Sequence, residues 1–361
     1  MTTYEVSREI LENNIKLLKK KAKNVPIWAV IKGDGYGLGV LPLAELLSQQ
    51  GIDRFCVTEI REAEILRENG FETAQILMLR SVEDRQQLNR LMDLKVILTL
   101  GSRKAAELAE QLAGERADVV EAHLKVDTGM GRYGFLPEET DQIISLYTEM
   151  KHLAITGIFT HFNCAFSHKK LTKQEFAAFM NVVETVRAAG VETGMVHCCN
   201  SAAFLKYPEM HCDGVRLGSA LLGRVPFRSK LRPVGYVSTQ VETVRVLPQG
   251  HTTGYSALWK AKRDTPIAIV PVGWYHGFHV SCMPDQSRRR DNFRGALGGL
   301  KGVLRPRRVY VEVNGKRCPL AGAIGMLHCA VDVSKISCKA GGPVVMQLNP
   351  LHVKGMKIVF R

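Results

Sequence analysis

The chain has 361 residues, of which 45% are hydrophobic and 23% charged, a composition typical of soluble globular proteins and unlike fibrous or disordered ones. This length is too great for one ordinary domain and suits two, the larger of them a barrel of about 200 to 250 residues. Much of the net charge of +14 lies in residues 285–308, which match no nucleic-acid-binding motif. We therefore expect a solvated loop or a subunit contact there and no nucleic-acid partner, with a site for an anionic partner as the alternative.

The remaining global features concern location and metal binding. The sequence contains neither a signal-peptide pattern nor about 18 consecutive apolar residues, so we expect a cytoplasmic protein without a membrane partner. Its nine cysteines are an odd number and include no CxxC pair. A disulfide framework and a zinc site are therefore both disfavoured, and we expect reduced thiols and no metal.

The first two-thirds of the chain alternate short apolar runs with amphipathic segments, the pattern of alternating strands and helices in an α/β fold. Eight such runs are predicted strands: 27–32, 54–59, 75–80, 95–100, 120–127, 155–162, 195–201 and 212–218. Eight parallel strands with crossover helices indicate a TIM (β/α)8 barrel, and a doubly wound sheet is the competing architecture.

The last third of the chain differs in residue composition and pattern. From residue 232 the sequence is rich in Val and Thr with turn glycines and an Asn-Gly turn, which predicts a mostly β C-terminal domain. We therefore divide the chain into a barrel at 1–231 and a β-rich domain at 232–361. A basic insertion is predicted at about 281–308.

In TIM barrels the active site is built from the carboxyl ends of the strands. The first predicted strand ends in "AVIKGDGYGLG", where Lys32 follows a buried apolar run. A lysine with its stem in apolar surroundings has a lowered pKa and can react with a carbonyl group, although it could also be a solvated residue at a strand end. The later strand ends carry Arg132, His161, Asn200, Ser201 and Arg216.

The segments "NSA" and "GSALLG" follow the last two predicted strands of the barrel. Their hydroxyls and small residues would let backbone N–H groups approach an anion, and Ser201, Gly218 and Ser219 are the candidate phosphate ligands. Taken alone, such a serine is usually a helix cap. An anion site beside a carbonyl-reactive lysine is the requirement of pyridoxal 5'-phosphate, which is the predicted cofactor.

Six segments in the right order carry a resemblance to a known family: "AVIKGDGYGLG", "LKVDTGMGRYGF", "GIFTHF", "HCCNSAAF", "DGVRLGSALLG" and "TTGYSALW". They are similar to the signatures of the alanine racemase family, whose members are fold-type III pyridoxal-phosphate enzymes. Six ordered matches over nearly the whole chain are far more specific than one short motif.

The resemblance implies a role for each cofactor-binding residue. Lys32 would hold the cofactor through a Schiff base, and Tyr36 would give its hydroxyl to the phosphate. Arg216 would lie against the pyridine nitrogen, which would stay unprotonated because a guanidinium is effectively always protonated and cannot accept the ring proton. His161 would lie near the ring and orient a tyrosine base, whereas an uninvolved core histidine is the alternative.

The resemblance also implies how substrate is held. Arg132 is similar to the family residue that contacts the cofactor and the substrate carboxylate. Lys125 falls where some members carry a carbamylated lysine that positions this arginine, although an ordinary lysine is also compatible with the motif.

Racemisation removes a proton from one face of the substrate and returns one to the other, so it requires two bases. The resemblance implies that Lys32 is one base and that Tyr255 is the other, with the tyrosine supplied by the partner subunit. A homodimer with shared active sites is therefore expected, and the predicted activity is a pyridoxal-phosphate-dependent amino-acid racemase with alanine as the default substrate.

The chain departs from the family pattern in its C-terminal domain. Trp274 replaces a tyrosine and His276 an aspartate in "VGWYHGF", while "GMLH" keeps Met326 and has Leu327 in place of an aspartate. Trp274 and Met326 are the predicted substrate contacts of this domain. These departures leave open serine or another amino acid as substrate, a decarboxylase of the same fold type, and a cofactor-binding protein that does not racemise.

Overall fold

The computed structural model describes residues 2–281 and 308–361. Apart from its two end positions, the predicted basic insertion lies outside the described residues. The chain forms two compact units, of which one comprises residues 8–234 and the other residues 1–7 together with 235–361. Within the described ranges, no helix is both long enough and apolar enough to cross a membrane.

Strand β1 (Thr3–Val6) belongs to the second unit, and the next eight strands close into a parallel barrel. They are β2 (Ile27–Val30), β3 (Arg54–Val57), β4 (Gln75–Ser81), β5 (Ile97–Leu100), β6 (Val120–Lys125), β7 (Leu153–Phe159), β8 (Met195–Cys199) and β9 (Gly214–Leu217). Each predicted apolar run contributes one strand, and β9 pairs with β2 to close the barrel. The predicted α/β barrel followed by a β-rich domain is confirmed.

The helices of the barrel unit, apart from the short segment Lys32–Gly37, present apolar residues to the strands and polar residues to solvent. They are α1 (Arg8–Ala22), α2 (Lys32–Gly37), α3 (Val40–Gln49), α4 (Ile60–Glu68), α5 (Arg85–Asp93), α6 (Arg103–Glu115), α7 (Thr140–Glu149), α8 (Lys169–Ala188) and α9 (Ser201–Lys206). Two short 3-10 turns, Pro137–Glu139 and Pro208–Met210, complete the unit. Several helices begin at a capping side chain, as Ser102 shows by accepting from the backbone N–H of Ala105.

The described residues of the second unit form three sheets. Its strands after β1 are β10 (Gly235–Gln240), β11 (Thr243–Leu247), β12 (Thr252–Thr253), β13 (Trp259–Lys260), β14 (Thr265–Val270), β15 (Tyr310–Val313), β16 (Lys316–Pro319), β17 (Cys329–Asp332), β18 (Pro343–Met346) and β19 (Lys357–Phe360). Its 3-10 turns are Tyr255–Ala257, Trp274–His276 and Pro350–His352.

The unit boundaries differ from the sequence-based division at residue 231. The sequence-based division places the first seven residues in the barrel, but β1 pairs antiparallel with β10 and parallel with β19 in the six-stranded sheet. These ladders satisfy both edges of β1 within the β-rich unit, so the barrel unit begins at Arg8 and ends at Val234.

Candidate active site

Lys32 lies just after β2, where the chain leaves the barrel wall in an unusual backbone conformation. The four residues from Gly33 to Tyr36 all have φ between +52° and +64°, which makes one left-handed helical turn. Glycines occupy two of these positions without cost, whereas a left-handed conformation costs about 1–2 kcal/mol per residue for other amino acids. Asp34 and Tyr36 are the two residues that bear this cost.

Two acidic side chains hold this turn in place. The Asp34 carboxylate accepts a hydrogen bond from the backbone N–H of Val40 at 3.1 Å, and the backbone N–H of Asp34 donates to Glu62 at 3.1 Å. Glu62 is buried, and its other oxygen accepts from the backbone N–H groups of Thr58 and Glu59. The segment that follows β3 is thereby tied to the segment that carries Lys32.

The Lys32 amine is in an environment that favours its neutral form. Burial lowers its pKa, and the nearby Arg132 guanidinium lowers it further, against a smaller opposing effect of Glu62. A neutral amine is the nucleophilic form of a lysine. The pKa direction therefore agrees with the carbonyl chemistry expected from the sequence.

One cavity at this end of the barrel brings together all eight predicted cofactor residues. It is lined by the predicted residues Lys32, Tyr36, His161, Asn200, Ser201, Arg216, Gly218 and Ser219. They come from the chain segments that follow β2, β7 and β8 and from β9 and the segment after it, as expected for a site at the carboxyl ends of barrel strands.

The part of this cavity near Ser201 has the features of an anion site. The buried Ser201 hydroxyl oxygen accepts hydrogen bonds from the backbone N–H groups of Gly218 and Ala220, both at 3.1 Å. A methyl group on Gly218 would lie 2.2 Å from the Tyr36 hydroxyl oxygen, so only glycine permits this approach. Burial raises the pKa of Tyr36 to about 12, which keeps its hydroxyl protonated and able to donate.

The Arg216 side chain extends from β9 to the cavity, and three hydrogen bonds hold its guanidinium in place. Its Nη1 donates to the Nδ1 atom of His197 at 2.7 Å and to the His197 carbonyl oxygen at 2.9 Å, and its Nη2 donates to the Thr160 carbonyl oxygen at 2.5 Å. His197 Nε2 lies 2.9 Å from His123 Nδ1. Both histidines are buried, and burial is the main cause that lowers their pKa values, to about 3 for His123.

His161 faces the same cavity with a neutral ring. Burial lowers its pKa well below the usual value, and the charges of Arg216, Lys32, Arg132 and Lys125 act in the same direction. Because the ring is neutral, one of its nitrogens can accept a hydrogen bond and the other can donate one.

A second cavity adjoins the first and is lined by basic side chains. Lys32, Arg80, Lys125, Arg132 and Arg216 line it together with His161. Lys125 is buried and donates from Nζ to the Tyr133 carbonyl oxygen. Burial lowers the pKa of Lys125 to about 8 although Asp127 opposes this change. Such a cavity suits a carboxylate or another small anion.

The predicted residues of the β-rich unit are solvent-exposed in the single chain. Tyr255 lies in the turn Tyr255–Ala257 and its side chain is 74% exposed. The turn Trp274–His276 is joined to the Met326 loop, because the backbone N–H of Trp274 donates to Gly325 and that of Tyr275 to Met326. Trp274, Met326 and Leu327 are all large apolar side chains that this unit leaves exposed.

Three site residues were missed in the sequence: His123, His197 and Asp127. The signal that could have found them is the alternation of side chains along a strand, since His123 and Lys125 lie two residues apart in β6 and point to one face. A histidine within a run as apolar as "MVHCC" is a similar signal. The contact of His197 with Arg216 depends on the closed barrel and could not be inferred from either segment alone.

The fold and this site define a class of protein: an α/β barrel with a partly buried lysine at its mouth, followed by a β-rich domain. The family models described as "Alanine racemase, N-terminal domain" and "Alanine racemase, C-terminal domain" match residues 6–226 and 234–354. The chain therefore belongs to the alanine racemase family, and the resemblance found in the sequence is confirmed.

Individual relatives agree with this assignment. The alanine racemase of Desulforamulus reducens is 31% identical over 342 residues, which cover 92% of this chain and 86% of the relative. That of Symbiobacterium thermophilum is 31% identical over 358 residues, covering 96% and 87%. The crystal structure of alanine racemase from E. faecalis superimposes with a TM-score of 0.81 at 25% identity, covering 100% of this chain and 98% of the other.

Proposed function

We propose that this protein is a pyridoxal-phosphate-dependent amino-acid racemase that interconverts L- and D-alanine with Lys32 and Tyr255 as its two bases. The observation that carries the proposal is the shared cavity in which Lys32, with its lowered pKa, faces Arg216 and the Ser201–Gly218 anion site. Membership of an isomerase family supports the same reaction type.

The residues present fit pyridoxal 5'-phosphate. The hydroxyl groups of Tyr36, Ser201 and Ser219 line the cavity and would donate hydrogen bonds to a phosphate. Gly218 lets the Tyr36 hydroxyl approach closely. Lys32 would be the covalent attachment point. Arg216 would meet the pyridine nitrogen, and as a guanidinium it would leave that nitrogen without a proton.

When bound, the cofactor would withdraw electrons from the substrate and make its α-hydrogen acidic. The side chains of the protein would bind the substrate and transfer its proton. Arg132 would bind the substrate carboxylate in the cation-lined cavity, and the Lys32 amine would accept or return a proton on one face of the substrate.

Tyr255 would serve the opposite face, and the partner subunit would provide it. A phenol with a pKa near 10 is a weak base at neutral pH, so this tyrosine needs a hydrogen-bonding neighbour. The neutral ring of His161 could provide that neighbour. The exposure of Tyr255, Trp274 and Met326 in one chain supports a homodimer in which these residues are covered.

We also propose that Lys125 is carbamylated. Its neutral amine would attack carbon dioxide, form an N–C bond and release one proton, and the resulting carbamate would lie beside Arg132. With a pKa of about 8, Lys125 has a sizeable neutral fraction at pH 8 and loses it as the pH falls below that value.

For Lys125, we expect a carbamate carbonyl signal in the 13C NMR spectrum when the protein is equilibrated with 13C-bicarbonate at pH 8. The signal should weaken towards pH 6 as the amine becomes protonated. The Lys125→Gln variant should lack it, while the exposed-lysine variant Lys104→Gln should keep it. A signal that survives in Lys125→Gln would show that another amine is modified.

The substrate is tested by α-proton exchange in heavy water across a panel of L- and D-amino acids, followed by NMR. We expect purified protein with added cofactor to exchange the α-hydrogen of alanine and to form the opposite enantiomer. Exchange of serine or a larger amino acid, without exchange of alanine, would indicate that Trp274, His276 and Leu327 shape a pocket for that other substrate. Cofactor binding without exchange of any amino acid would overturn the racemase proposal.

A further inference from the structure

The loop that carries Arg132 is organised by one buried carboxylate, that of Asp127. Its Oδ1 atom accepts hydrogen bonds from the backbone N–H groups of Gly129 at 2.9 Å, Met130 at 2.7 Å and Gly131 at 3.1 Å. Its Oδ2 atom accepts from the backbone N–H of Arg132 at 2.9 Å. Four consecutive residues thus bind to a single side chain, which is 6% exposed.

The charge on Asp127 is stable in this setting. Burial opposes ionisation of the carboxyl group, but the backbone N–H groups of Gly129, Arg132 and Gly131 outweigh that effect, and Lys125 adds to them when it is unmodified and protonated. The net result is a pKa below the ordinary value, so the carboxylate remains an acceptor for all four N–H groups throughout the neutral pH range.

The loop is also fixed at its sides. The Thr128 and Thr160 hydroxyl oxygens lie 2.8 Å apart, and the amide nitrogen of Asn163 donates to the Gly129 carbonyl oxygen at 2.9 Å. The Thr160 carbonyl oxygen in turn accepts from Arg216. The loop that carries Arg132 is therefore hydrogen-bonded to the segment after β7, and the same segment supports Arg216.

Arg132 itself lacks comparable support at its side chain. The residue is exposed, and among the contacts of the described residues its guanidinium is found over the Tyr133 ring, 5.5 Å from the centroid. A long flexible side chain reaches a substrate reproducibly only when its main-chain origin is fixed. In this loop the Asp127 carboxylate fixes that origin.

We propose that Asp127 is a positioning residue of the reaction, which holds the Arg132 main chain at the place from which its guanidinium binds the substrate carboxylate. This inference rests on the proposed function, because it assigns Arg132 to substrate binding.

The test uses Asp127→Asn in the full-length protein with its cofactor. The amide keeps an oxygen for the N–H groups of Gly129, Met130 and Gly131, but its NH2 group would face the Arg132 N–H, donor against donor. We expect KM for L- and D-alanine to rise roughly 10- to 100-fold with a smaller change in kcat. The absorbance of the bound cofactor should be unchanged, and Asp53→Asn, an exposed aspartate, should behave as wild type.

A double-mutant cycle with Arg132→Ala separates positioning from general stabilisation, because alanine removes the side chain that Asp127 is proposed to position. If Asp127 acts through Arg132, the double variant should be no worse than Arg132→Ala alone. Additive losses, or an Asp127→Asn enzyme with wild-type KM, would overturn the proposal for Asp127. A wild-type protein that racemises no amino acid would instead overturn the proposed function, before any variant is compared.

Hydrogen exchange gives a readout that does not need activity. The amide of Arg132 should exchange faster in Asp127→Asn than in the wild-type protein, while the amides of β6 should be unaffected. Unchanged exchange at Arg132 would show that the carboxylate does not fix this part of the loop, and would overturn the proposal whatever the kinetics.

Discussion

Lys32→Ala is expected to lower kcat for alanine racemisation in both directions by at least about 1,000-fold, because it removes both the covalent attachment point and one of the two proposed bases. The variant should also lose the visible absorbance of a cofactor joined to lysine. Measurement of both enantiomers by chiral chromatography, together with an absorption spectrum, checks the two effects separately.

The matched control is Lys104→Ala, which removes a lysine that is 76% exposed on the barrel surface. It should retain the spectrum and the activity of the wild-type protein. A Lys32→Ala protein that still forms a covalent adduct after borohydride reduction would show that another amine binds the cofactor, and the assignment of Lys32 would be wrong.

Tyr255→Phe should keep cofactor binding and lose racemisation in both directions, because conversion of either enantiomer requires both bases. The phenol hydroxyl is the only group removed, and loss of one general acid–base typically costs about 100- to 10,000-fold in rate. We expect α-deuterium incorporation from heavy water to persist with one enantiomer, through Lys32, and to be lost with the other. Tyr310→Phe, an exposed tyrosine of the same unit, is the control. Undiminished racemisation in both directions would exclude Tyr255 as a base.

The same two variants test the shared active site. If each site combines Lys32 of one subunit with the partner subunit's Tyr255, mixing Lys32→Ala and Tyr255→Phe proteins and allowing subunits to exchange regenerates intact sites in mixed dimers. Random exchange of equal amounts should restore about a quarter of the wild-type activity. No recovery after demonstrated subunit exchange would place both bases within one chain.

The barrel could be predicted because its strands are apolar runs separated by amphipathic helices, and each of the eight runs became a strand. Strand ends were less predictable. The run at 27–32 was expected to continue through Lys32, but β2 stops at Val30 because a left-handed turn follows. The glycines indicate a loop but do not specify that the five consecutive residues 33–37 all have positive φ.

Strand β1 was missed for a different reason. Its four residues carry little local signal, and its partners β10 and β19 lie more than two hundred residues away in the chain. Contacts of that range depend on tertiary structure. The same holds for the support of Arg216, where the motif predicted the arginine while the bond to His197 required the closed barrel.

The chain of contacts from Arg216 to His197 and His123 fixes where the hydrogens are in the barrel interior. A guanidinium cannot accept a hydrogen bond, so His197 Nδ1 must be the acceptor, and its neutral ring must carry hydrogen on Nε2. That hydrogen points to His123 Nδ1, which therefore is also an acceptor, and the second ring carries its hydrogen on Nε2. Two imidazoles in a row thus adopt the same tautomer, and a 15N spectrum of labelled histidine should show both as Nε2–H forms with Nδ1 unprotonated.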